Sequence, residues 1–102
     1  MRENTDKKPL ISHAAIRDLD EIWDYIAGDS ERAADHLIDE IVEKCRELAI
    51  LKGVGHRRED LLPGLLSLAH RKYVVFFRRN ERVEIVRILH GARDIPALFE
   101  EW

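Results

Sequence analysis

Two nearly continuous runs of β-prone apolar residues, Tyr73 to Phe77 and Val83 to Leu89, flank the polar turn Arg79-Asn80-Glu81-Arg82. Such a pair reads as a β-hairpin. A strand with one face in water alternates apolar and polar residues, whereas continuous runs belong to central strands covered by helices on at least one face. A chain carrying this hairpin must therefore also supply helical cover. The residues that break the apolar runs stand out for the same reason: Arg78, Arg79, Arg82, Arg87, His90 and Arg93 all lie in or beside the hairpin. A charge between Val86 and Ile88 has to find a partner or an open face.

The cover is written upstream. From Ala14, Ala15, Ile16, Leu19, Ile22, Trp23 and Ile26 recur at helical spacing, with Arg17, Asp18, Asp20, Glu21 and Asp24 on the opposite side. Gly28 is expected to end this helix in the left-handed conformation, and Asp29 or Ser30 to cap the next. A second helix is expected from Glu31 to Leu51, its stripe formed by Ala34, Leu37, Ile38, Ile41, Val42, Cys45, Leu48 and Ala49. The short link makes the two an antiparallel hairpin. Gly53 and Gly55 open a basic loop through His56-Arg57-Arg58, and Pro63-Gly64 suits the centre of a type II turn. A strand over 65–70 then precedes the hairpin. Pro9 to Ser12 reads as a strand stub at the start, and Ile95 to Trp102 as a tail with one helical turn that tolerates Pro96 near its beginning.

The resulting pattern is β-αα-βββ: an α+β domain in which a short N-terminal strand and an antiparallel helical hairpin accompany a three- to four-stranded antiparallel sheet. With 102 residues there is room for one domain, 1–102, with a polar arm over 1–8 and a tail over 95–102. No apolar stretch is long enough to span a bilayer, and the opening residues lead into no signal-peptide core, so a cytoplasmic protein is expected. A single cysteine, Cys45, fits a reducing compartment and reads as helix core. The net charge of −3 hides a division. The first 51 residues hold 7 Lys/Arg against 13 Asp/Glu, the remainder 10 against 7. An acidic helical hairpin and a basic sheet suit a polyanion or an acidic polypeptide as partner.

Candidate chemistry is limited. His13, His36 and His70 read as surface or capping groups, with no metal-ligand spacing among the histidines. No phosphate loop or nucleophile elbow is present. For cleavage of RNA, His90 or His56 is available as proton shuttle, with Arg57, Arg58, Arg87 and Arg93 on the phosphate. His90 can equally hydrogen-bond the backbone and fix the strand exit, and Arg93-Asp94 can form a local ion pair. Trp23 reads as core, while Tyr25, two residues on, faces a different side.

The stretch Asp18-Leu19-Asp20-Glu21-Ile22-Trp23-Asp24-Tyr25-Ile26, the Ala33-Ala34 helix and the closing Val83 to Asp94 together resemble the ParE branch of the RelE/ParE toxin superfamily. The resemblance spans roughly residues 10 to 95, although a Pro near Lys52-Gly53 and an Arg near Leu66, frequent in relatives, are missing. It implies the toxin of a type II toxin-antitoxin module that poisons DNA gyrase by binding, without catalytic residues, metal or cofactor. It also implies neutralisation by a ParD-like antitoxin, and no sequence-specific DNA binding by the toxin alone. Its expected target-facing residues are Arg57, Arg58, Arg78, Arg87, His90 and Arg93. Its expected antitoxin-facing residues are Trp23, Tyr25, Tyr73, Phe77, Arg79 and Arg82. The alternatives are a RelE-like ribosome-dependent mRNA endonuclease, using His90, Arg87 and Arg93, and a non-toxic antitoxin-binding protein of the same fold.

Overall fold

The computed structural model describes residues 8–100; most of the expected polar arm, 1–7, and the last two residues of the tail lie outside them. The elements in chain order are β1 (Leu10–Ile11), α1 (His13–Ala27), α2 (Glu31–Ile50), β2 (His56–Arg57), β3 (Leu65–His70), β4 (Tyr73–Arg79), β5 (Val83–His90) and α3 (Ile95–Glu100). They build a five-stranded mixed sheet in the order β1-β5-β4-β3-β2. The α+β class, the helical hairpin and the three consecutive antiparallel strands are as the sequence reads. β2 is a strand beyond those expected, and β1 is the expected N-terminal stub joined to the sheet edge. β1 pairs in parallel with β5, Leu10 opposite Glu84 and Ile11 opposite Ile85, and β2 pairs antiparallel with β3. Each is two residues long, too short to leave a periodic signal. No hairpin joins β1 to β5, so nothing local constrains that pair to be antiparallel.

Both faces of the sheet are covered, and this accounts for the unbroken apolar runs. One core holds Ala15, Ile22, Ile41, Cys45 and Leu48 of the helices against Tyr73, Val75, Phe77, Val83, Ile85 and Ile88. The other holds Ile95 and Phe99 of α3 against Leu65, Phe76, Val86 and Leu89. Cys45 is core as expected, and burial pushes its thiol up to about 11. A bulge lies where the β4–β5 register shifts: Phe76 faces Arg87 and Phe77 faces Ile85, leaving Val86 as the extra residue. Strict alternation would put Ile85, Arg87 and Leu89 on one side. The bulge resets the phase, so Ile85 and Ile88 share the helix-side core while Val86 and Leu89 share the other.

Several local expectations need correction. Gly28 is right-handed, at φ −56° and ψ −31°, because Asp29 and Ser30 both donate to Ile26 O and the chain turns without leaving the α region. Ser30 does cap α2, its Oγ accepting Ala33 N–H. Ile16 is exposed, since the buried line of α1 runs through Ala15, Asp18 and Ile22 at spacings of three and four. Trp23 is half-buried rather than core, and its Nε1–H donates to Asp35 Oδ1 across the helix pair at 2.8 Å. The turn at 62–65 closes as the sequence requires, with Leu65 N–H donating to Leu62 O and Gly64 at φ 74°. Gly55, at φ 113°, lets the loop lie against Phe77; a Cβ there would stand 2.7 Å from Phe77 Cζ.

A candidate protein-binding cleft

Two of the stretches that carry the resemblance, 18–26 and 83–94, meet in space. Asp18, 4% exposed, receives Arg87 in a two-pronged ion pair at 2.7 and 2.9 Å. It also accepts the Ile88 backbone N–H at 2.9 Å. Both follow from where β1 stops. Beyond Ile11, Ser12 N–H donates to Ile85 O and Ser12 Oγ donates to Val86 O, while the same Oγ accepts Ala15 N–H as the α1 cap. The next ladder position on β5, Ile88 N–H, has no strand beside it, and the first turns of α1 bring Asp18 there instead. The carboxylate satisfies an orphaned edge amide and neutralises the guanidinium freed by the bulge. Asp18 thereby raises the affinity of Arg87 for its proton.

Above this pair lies a cleft of about 310 Å³ between the outer half of α1 and the end of β5. Ile22, Ile88 and Leu89 line it with apolar surface, Tyr25, Tyr73 and His90 bring rings, and Glu21 and Arg93 bring opposite charges. Tyr25 is 80% exposed. Tyr73 is buried, its phenol proton held more tightly through burial and then through Tyr25. His90 stacks edge-on against Tyr73, ring centroids 5.2 Å apart, and its Nδ1 accepts Ala92 N–H. The neutral ring therefore carries its proton on Nε2. The expected backbone role of His90 is present; the expected Arg93–Asp94 pair is not. Asp94 accepts Ala97 N–H at the start of α3, whereas Arg93 stands exposed without a side-chain partner among the described residues.

The remaining expected site residues are scattered. Arg57 and Arg58 sit on or next to β2, at the far edge of the sheet from β5, and His56 lies there too, away from His90. Arg58 pairs with Asp60 through two bonds of 3.1 Å and lies over the Phe76 ring. Arg78 pairs with Glu84, at the opposite end of the β4–β5 ladder from the cleft. Phe77 is wholly buried, so it is core and no surface contact. Arg79 reaches back to the end of α2 and donates to the carbonyls of Leu48, Leu51 and Val54. Arg82 donates to Lys8 O. Of the twelve expected contact residues, only Tyr25, Tyr73, His90 and Arg93 line one cleft, with Arg87 held beneath them by Asp18. Asp18 is the residue that sequence reasoning set aside, although its spacing from Ala15 and Ile22 places it on the buried line.

A second ionic cluster joins α2 to the β3–β4 turn. Glu40 accepts from Arg71 at 2.7 and 3.2 Å and lies 2.9 Å from His70 Nε2. Arg71, then His70, hold the Glu40 carboxyl down to about 2. Among the described residues no His, Cys, Asp or Glu cluster is fit to hold a metal, and no helix is long and apolar enough to cross a membrane.

Residues 10–95 match the family model described as the ParE toxin of type II toxin-antitoxin systems, parDE. Toxin ParE1 of Caulobacter vibrioides is 38% identical over 89 residues, which cover 85% of this chain and 92% of that protein. A solved structure of a chromosomal ParDE toxin-antitoxin system from P. aeruginosa superposes with a TM-score of 0.69 at 25% identity, over 81% of this chain and 94% of the matched one.

Proposed function

Because the chain belongs to the ParE toxin family of type II toxin-antitoxin systems, we propose that it is a cytoplasmic toxin that inhibits DNA gyrase by binding it and is neutralised by a ParD-like antitoxin. Gyrase is the typical target of ParE toxins, and the solved relative comes from a ParDE system. The observation that most favours binding over RNA cleavage is the use made of Arg87. A nuclease reading asks Arg87, His90 and Arg93 to converge on one phosphate, but Arg87 is turned inward onto Asp18 through two short bonds. His90 also spends one ring nitrogen on Ala92 N–H. What remains outward is an aromatic and apolar cleft with one cation at its mouth, a surface suited to another protein.

The test is a DNA supercoiling assay with purified gyrase, the protein alone and then with excess ParD-type antitoxin. Inhibition accompanied by linear cleaved DNA, and reversed by antitoxin, is the expected result. Unimpaired supercoiling by folded protein, together with cut mRNA on purified ribosomes, would replace this reading with the endonuclease.

A further inference from the structure

The cations of this molecule are unequally committed. Arg58, Arg78, Arg79 and Arg82 are each engaged within the fold, by Asp60, Glu84, the end of α2 and Lys8 O. At the cleft the balance differs. Gly91 N–H donates to Lys72 O at 2.8 Å, which draws the β3–β4 turn against the segment leading to Arg93. Lys72 and Arg93 are thus brought to one end of the sheet, both exposed and without side-chain partners among the described residues. Beside them Tyr25, 80% exposed, lines the cleft with the buried Ile22 and Ile88.

We propose that this cleft is the seat of the antitoxin's neutralising segment: an apolar side chain enters over Ile22 and Ile88, the chain around it covers Tyr25, and a carboxylate pairs with Arg93. The assignment rests on the antitoxin reading above. Three observations carry it. The apolar floor beneath an exposed tyrosine is the construction of an interface anchor. The unpaired Arg93 at the mouth, with Lys72 at the same end of the sheet, calls for an acidic partner, and the Glu21 carboxylate along the wall opposes a nucleic-acid backbone. Finally, the Asp18–Arg87 pair fixes α1 to β5, so the ordering cost of binding falls on the incoming segment alone. That asymmetry suits a partner that folds as it binds.

The test is calorimetric titration of the full-length toxin with full-length ParD-type antitoxin, comparing wild type with Tyr25→Ala, Arg93→Glu and, at the other end of the molecule, Lys52→Glu. Tyr25→Ala is expected to weaken binding roughly thirty-fold or more. Arg93→Glu is expected to weaken it and flatten its salt dependence, with recovery from an Asp/Glu→Arg change in the antitoxin. Lys52→Glu should bind as wild type does. Thermal melts should be unaltered for both cleft variants, since neither side chain supports the fold. Affinity within threefold of wild type for both would overturn the assignment. So would variants that keep antitoxin and lose gyrase inhibition, which would give the cleft to gyrase. If wild type itself fails to bind the antitoxin, the antitoxin reading fails and this assignment fails with it.

Discussion

Asp18 holds three hydrogen bonds at a nearly buried position, and each answers a need created elsewhere in the chain. Removing it takes the two-pronged carboxylate from Arg87 and the acceptor from an edge amide together. Asp18→Ala is therefore expected to lower stability by about 3–5 kcal/mol, and the Asp18→Ala/Arg87→Met double variant by clearly less than the sum of the single effects. Urea denaturation of the four proteins measures this. Sequence reasoning reached half of this arrangement: a charge between Val86 and Ile88 must find a partner or an open face, but no rule of spacing names a partner sixty-nine residues away. Charge also argued against the stripe position that Asp18 in fact occupies. Glu40 makes a second case at this scale. Its carboxyl is held from its ordinary 4.5 down to about 2 by Arg71 and His70, so its contribution is present above pH 4.5 and lost as pH falls toward 2. Glu40→Gln should lower Tm slightly at pH 7, and the gap from wild type should close across that acid window. A gap that persists at pH 2 would assign the effect to packing.

At the scale of elements, α2 is an instructive helix because its C-terminal end has no basic residue of its own in the last turn. Its last carbonyls are met instead by Arg79 from β4, whose guanidinium also lies over Phe77 at 5.3 Å. Arg79→Ala should cost about 1–2 kcal/mol. Hydrogen exchange should place the loss in the last turn of α2 rather than in the sheet, and uniform loss would refute the capping role. The helix was legible from its stripe and its stop at Gly53; its cap was not, because the register of a distant strand decides it. The strands show the same division. The apolar doublets Ile85-Val86 and Ile88-Leu89 write the bulge into the sequence, yet only pairing with β4 reveals which face each residue takes. Of the two-residue edge strands, β1 was legible as the apolar stub within Pro9 to Ser12, while β2 left no trace.

The whole molecule is a sheet between two unequal covers, the helical hairpin on one side and the single short helix α3 on the other. Leu48 and Phe99 belong to separate buried clusters with the sheet between them. Leu48→Ala and Phe99→Ala, each expected to cost about 2–5 kcal/mol, should therefore add to within about 0.5 kcal/mol in one cooperative transition. Two separate transitions in differential scanning calorimetry would mean that the α3 side melts alone. The class and most of the element order were open to sequence reasoning because periodicity and turn chemistry are local. The distribution of twelve expected contacts into one cleft and several internal bonds was not, because it depends on how the ends of the chain come together. That last point has a consequence for synthesis. One wall of the cleft is made early, by α1, and the other late, by β5. A nascent chain still waiting for β5, or a fragment cut between α1 and β5, presents neither the cleft nor the Asp18–Arg87 clasp beneath it. The cleft comes into existence only once β5 has been made.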